Sequence, residues 1–172
     1  MANTYVAIAT VTVGSGGAAS IDFSSIPATY TDLALLVSAR SARATGGADT
    51  LYLKINTVTT NRTSRTLEGD GATASSGNYT DGFIGNLPQN TAGWTANTFA
   101  NTLVYIPNYA GSTNKSFSVD TVTETNATTA YSHLFAGLWS QTTAINQLTL
   151  ITGTSNNFVE YSTATLYGIK NS

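Results

Sequence analysis

The sequence predicts an all-β fold, a single-domain antiparallel β-sandwich of jelly-roll type, and three observations carry that reading. Apolar and polar residues alternate with period 2 in roughly eight to ten short stretches, the pattern of strands with one covered face. Turn residues (Gly, Asn, Ser, Pro) break the chain about every ten residues, as in sandwiches and jelly rolls. No window of about 12 residues combines a 3.6-residue period with capping residues. Residues 130–138 come nearest to a helix, and Gly137 with the surrounding aromatics favours a strand there.

The elements follow in order. Tyr5, Ala7, Ala9, Val11 and Val13 alternate with Val6, Ile8, Thr10 and Thr12 in a first strand. Gly14-Ser15-Gly16-Gly17 turns the chain, since glycine takes positive φ without steric cost. Residues 20–23 return it, so these two strands are expected to form a hairpin. Pro27 has no amide hydrogen and ends the pairing. Residues 33–39 form the central strand. Leu33, Leu35, Val37 and Ala39 face one way and Ala34, Leu36 and Ser38 the other, so both faces begin apolar, as in a strand covered on both sides. It runs out into Arg40 and Arg43, which are expected to reach water or an anionic partner.

Leu51, Leu53 and Ile55 mark the next strand, and residues 65–68 a short one. Residues 68–82, with four glycines and three acids, read as a loop. Residues 83–87 suggest a strand fragment, followed by a loop carrying Trp94. Residues 99–106 are a strong strand stopped by Pro107, and residues 115–123 return the chain. Residues 131–139 and 145–152 are strands, and residues 158–169 close the chain as a long last strand. There is no internal repeat and no linker.

Composition bounds the function. A chain of 172 residues suffices for one domain with a true core. Without cysteine, neither a disulfide framework nor a thiolate metal site can form. Only 9% of residues are charged, far below the roughly 25% of ordinary soluble domains. The formal net charge of −2 argues against nucleic acid held on a broad basic surface. No run approaches the roughly 18 apolar residues of a membrane span, and the N-terminal residues lack the basic and apolar regions of a secretory signal. Threonine, serine, asparagine and glycine replace charge, which suits a protein packed beside neighbours.

Few residues suggest chemistry. His133, the only histidine, lies in an apolar segment, and no Gly-x-Ser-x-Gly elbow accompanies it. Glu68, Asp70 and Asp81 are the main candidates for a carboxylate pair, but a glycine-rich loop holds two acids poorly at a fixed separation. Asp120 and Glu124 are near each other at a strand end. The loop acids do not follow the EF-hand order. No catalytic residue, cofactor site or metal site is therefore assigned, and the chain is not expected to be an enzyme. The candidate interface residues are Arg40, Arg43, Arg62 and Arg65, two close pairs whose planar forks suit carboxylates of another subunit. Trp94 joins them, because an aromatic residue in a loop favours an interface or a sugar. Trp139, in an apolar run, reads as core.

Several segments also carry a resemblance. They are the stretch Ala19–Arg43, Tyr105-Ile-Pro-Asn-Tyr-Ala-Gly111 joined to Lys115-Ser-Phe-Ser-Val-Asp120, Leu134-Phe-Ala-Gly-Leu-Trp139, and Tyr161-Ser-Thr-Ala-Thr-Leu-Tyr-Gly-Ile169. In that order they resemble a family of small β-rich, virion-associated proteins of tailed, mostly aquatic, bacteriophages. These are packing and turn motifs, so the resemblance implies a virion setting, with assembly in the host cytoplasm, and no reaction.

The expected function is that of a structural virion protein, a capsid decoration or cement protein bound to the major capsid protein. A strand begins within about five residues of Met1, which leaves no separate attachment region. The alternative is a tail fibre or receptor-binding module that recognises host surface glycans. A homotrimer is expected, because residues 158–169 read as a long, almost uncharged edge with only Glu160 to guard it.

Overall fold

Alternation along each strand places one side of it in a shared core. In β4 (Asp49–Ile55), Asp49, Leu51, Leu53 and Ile55 are buried while Thr50, Tyr52 and Lys54 are half covered. β8 (Ala100–Ile106), β9 (Lys115–Glu124) and β10 (Ala130–Trp139) repeat the pattern, with every second residue buried and most of the others open to solvent. The computed structural model describes residues 4–58, 60–80, 82–87, 94–126 and 128–170. Among these the remaining strands are β1 (Tyr5–Thr12), β2 (Ser20–Phe23), β3 (Asp32–Ala39), β5 (Arg62–Gly69), β6 (Ala74–Tyr79), β7 (Phe83–Leu87), β11 (Leu148–Thr152) and β12 (Thr163–Ile169).

The strands form an all-β, two-sheet sandwich. The larger sheet has eight strands in the order β1-β12-β3-β8-β9-β10-β5-β6, the smaller has four in the order β2-β11-β4-β7, and neighbouring strands are antiparallel. The core lies between them. Leu33, Leu35, Val104, Val119, Phe135 and Trp139 from the larger sheet meet Ile21, Phe23, Leu51, Leu53, Ile84 and Leu150 from the smaller. Burial of each large apolar side chain contributes about 1.5–3 kcal/mol. Trp139 is core, as its segment predicts.

Four expectations change. β1 and β2 are not a hairpin, because β1 pairs with β12 in one sheet and β2 with β11 in the other. The glycine turn carries the chain across the sandwich rather than back along one sheet. The segment read as a loop from residue 68 contains β6, which pairs with β5 over six residues from Ser64 to Gly69. The closing strand is shorter, since residues 158–162 are irregular with Tyr161 at φ 68. It is also not an edge: β12 is flanked by β1 and β3, so the edge argument for a trimer does not hold for this strand. The edges are β1 and β6 in the larger sheet and β2 and β7 in the smaller. Of these, β1, β6 and β7 carry no charged residue.

The larger sheet is wider than the smaller. β5 and β6 lie beyond β10, and the outermost strand of the smaller sheet on that side, β7, packs mainly on β9. The inward side of this extension is buried at Arg62, Ser64, Thr66, Phe135 and Trp139 and open toward Glu68 and Ser75, where it forms an overhang.

Candidate interaction face and polar cleft

The outward face of the larger sheet carries a continuous cross-strand row. The register places side by side Thr10, Thr165, Leu36, Leu103, Asp120, Leu134, Leu67 and Ser76, one residue from each strand. At about 4.8 Å per strand the row is roughly 34 Å long. Leu36 and Leu103 are each 45% exposed, Leu134 54% and Leu67 62%. Two leucine pairs thus flank one carboxylate, Asp120. The leucines border two shallow depressions. One, of about 470 Å³, lies between Leu67 and Leu134, and the other, of about 540 Å³, between Leu36 and Leu103. Tyr5 edges the second depression and meets the Tyr167 ring edge-on at 6.2 Å. Leucines in register over neighbouring strands make a contiguous apolar patch, which marks interaction surfaces. Sequence reasoning did not single out this row. Its signal is one leucine on the otherwise polar side of β5 and of β8 and two, Leu134 and Leu138, on the open side of β10, and it becomes a row only through a register the sequence does not state.

The predicted interface residues are not brought together. Arg40 is buried and its Nη1 donates to Thr95 O at 3.0 Å, Thr98 O at 2.9 Å and Thr98 Oγ1 at 2.9 Å. Burial lowers its pKa. Arg62 is also buried, and Nη1 donates to Leu53 O, tying β5 to β4 across the sandwich. These two arginines bond internal oxygens, which corrects the expectation that they reach an outside partner. Arg43 is half-buried and donates to Ala48 O at 3.0 Å. Arg65 is exposed and shares the outward face, in the row next to the leucines, opposite Ala136 and Asn78. Trp94 is half-buried and stacks on Tyr131, with ring centroids 6.4 Å apart and planes 18° apart.

A second feature lies under the overhang. On the inward face another cross-strand row runs Thr102, Thr121, His133, Glu68, Ser75. Its deep end is hydrogen-bonded, Thr102 Oγ1 to Thr121 Oγ1 at 2.7 Å. Its outer end opens into a cleft of about 530 Å³, bordered by Glu68, Asp70, Ser75, Asn86, Tyr131 and His133. His133 is 2% exposed. Its Nδ1 lies 3.2 Å from Glu68 Oε2, within ion-pair reach but not aligned as a hydrogen bond. Nε2 lies 3.3 Å from Asn86 Nδ2. Burial pushes the imidazole pKa below its usual value and Glu68 partly offsets this. Ser75 Oγ donates to Glu68 Oε1 at 2.8 Å, so the serine addresses the carboxylate and not the imidazole. Asp70 Oδ1 accepts from the amides of Thr73 at 2.6 Å and Ala72 at 2.9 Å, and these bonds lower its pKa.

Glu68 thus stands on a strand and Asp70 in the turn after it, which corrects their shared placement in a loose loop. Asp81 lies outside the described residues. Among the described residues no group of three or more His, Asp or Glu side chains is placed to hold a metal ion. No protein-family model, curated protein or solved structure matches the chain.

Proposed function

We propose that the chain is a structural protein of a tailed-phage virion, a capsid decoration protein that docks through the outward face of its eight-stranded sheet. The leucine row carries this reading. Four leucines about half exposed, in register and flanked by small hydroxyl residues, form a flat apolar surface of a kind soluble monomers rarely leave open. Low charge and three uncharged edge strands support dense packing among neighbours. The phage setting rests on the sequence resemblance of the four segments. A homotrimer seated on the major capsid protein would cover the same face on every copy. Arg65 is the arginine of the four placed to join that contact.

The finer architecture we propose is a jelly roll with two inserted hairpins. Without β5-β6 and β9-β10, the sheets reduce to β1-β12-β3-β8 and β2-β11-β4-β7. Successive strands of the remaining eight then alternate between sheets, except β4 and β7, which pair within the smaller one, in the manner of two Greek keys. The hairpins widen one sheet only, and so supply half of the leucine row.

Quantitative mass spectrometry of purified virions tests the role. A decoration protein is present on the order of hundreds of copies per particle. A few or a few dozen copies would place the chain in the tail and favour the alternative, a receptor-binding module.

A further inference from the structure

We propose that the shell surface covered by the outward face presents a lysine or arginine opposite Asp120 and an acidic side chain opposite Arg65, both set in apolar surroundings, and that these two charges fix the register of docking. The inference rests on the docking reading above and names the chemistry of the partner.

The carboxylate decides the sign of the partner. Asp120 is exposed at the middle of the leucine row, with Leu103 beside it on β8 and Leu134 beside it on β10. Aspartate is depleted in strands, and among the described residues this one is in no ion pair. A surface that covers the leucines also covers the carboxylate and strips its water. A carboxylate left dry without a partner outweighs what a neighbouring half-exposed leucine contributes. A partner that covers this row must therefore bring a cation to its centre.

Arg65 supplies the second point. It is exposed on the same side in the adjoining row, and its Nη1 donates to Ser64 O at 3.3 Å, which occupies one of its five donors. Two strand spacings and a step of two residues separate its backbone from that of Asp120 by about 12 Å, with Leu134 and Ala136 between. The other charged strand residues on this side bond within the chain. Asp32 accepts from Tyr105 Oη at 2.8 Å and the Asn108 amide at 2.9 Å, and Glu124 accepts from the Asn126 amide at 2.8 Å. A flat face of leucine, alanine and serine can slide over an apolar partner with little change in energy. Two opposite charges at a fixed separation remove that freedom, because a shifted or reversed partner sets like charge against like. The two depressions lie on either side of Asp120, about 14 Å apart at three strand spacings, and suit apolar side chains that flank the cation.

The test is co-sedimentation of the full chain with virions assembled without it, over a range of salt. The parent should bind more weakly as salt rises, because salt screens the charges that steer and align the partners. The isosteric Asp120→Asn should bind at least about tenfold more weakly and lose part of the salt dependence. Arg65→Gln should act in the same way, and Asp120→Lys should not bind. Glu160→Gln makes the same change in net charge at an exposed residue away from the face and should bind like the parent. Asp120 is exposed, and equal urea midpoints for parent and Asp120→Asn exclude a folding defect. Leu36→Asp with Leu134→Asp reports the docking reading separately. If Asp120→Asn binds like the parent with the same salt dependence while the leucine variant fails to bind, the proposal is overturned and the docking reading stands. If the leucine variant also binds like the parent, both are overturned. An equal loss in Glu160→Gln overturns the proposal too, since net charge would then be the cause.

Discussion

Gly137 stands directly opposite Phe117 in the β9-β10 ladder, and the phenyl ring lies over its bare α-carbon. A β-carbon at Gly137 would fall 2.1 Å from Phe117 Cζ, far inside contact distance. An aromatic ring over a strand glycine covers the weak point the glycine creates. Gly137→Ala should therefore destabilise the fold by about 1–3 kcal/mol, the range for overpacking a filled core. Urea denaturation checks this, with a lower midpoint and unchanged slope expected.

Lys115 gives the second prediction. It is 1% exposed, and its Nζ donates to Gly111 O at 2.7 Å, Thr113 O at 2.5 Å and Thr142 O at 3.3 Å. The ammonium thus ties the turn before β9 to the turn after β10. Lys115→Met keeps the stem but leaves those carbonyls without their donor. A loss of about 3 kcal/mol is expected from orphaned buried acceptors, read as a thermal or urea midpoint. A variant as stable as the parent would mean that water takes over the carbonyls.

The third concerns pH. Burial lowers the His133 pKa below 6.5, and Glu68 only partly offsets it. Well above 6.5 the imidazole is neutral in both folded and unfolded chains. As the pH falls through that value the unfolded chain takes the proton first, so folded-state stability declines toward the folded pKa. Stability should therefore drop as the pH falls through about 6.5 toward the lowered folded value, and His133→Gln should remove part of that slope. An identical slope in the variant would assign it to other groups.

The fourth separates the outward face from the fold. Leu36 and Leu134 are about half exposed, so Leu36→Asp with Leu134→Asp should change monomer stability by only about 0.5 kcal/mol per site. Light scattering should find the parent and the double variant equally trimeric, while co-sedimentation with virion particles should be lost in the double variant. A parent that stays monomeric at micromolar concentration would restrict any trimer to the particle.

Period 2 revealed most strands because burial on one face writes itself into every second residue. Leu51, Leu53 and Ile55 do so in β4, and Phe135 and Trp139 in β10. β6, with the sequence Ala-Ser-Ser-Gly-Asn-Tyr, has no such signal. It pairs only with β5, and on its inward side only Tyr79 reaches the core, against Phe83 and Phe135, while Ser75 meets the cleft, so its composition is that of a loop. The sheet to which β1 and β2 belong depends on partners more than 120 residues away, β12 and β11, and a glycine turn does not state whether it crosses the sandwich. Arginine reads as surface in any sequence, and only the fold shows Thr95, Thr98 and Leu53 carbonyls enclosing Arg40 and Arg62. In the cleft, His133 and Glu68 are 65 residues apart and were weighed separately. Their pairing at 3.2 Å comes from the β5-β10 register.

Hydroxyl-radical footprinting of the leucines, in the purified chain and in intact virions, tests the central claim most directly. The docking reading expects Leu36, Leu67, Leu103 and Leu134 to be labelled readily in the free chain and protected several-fold in the particle, while Tyr161, 70% exposed and off the face, changes little. Equal labelling of the four leucines in both states would show that the outward face is not where the protein binds.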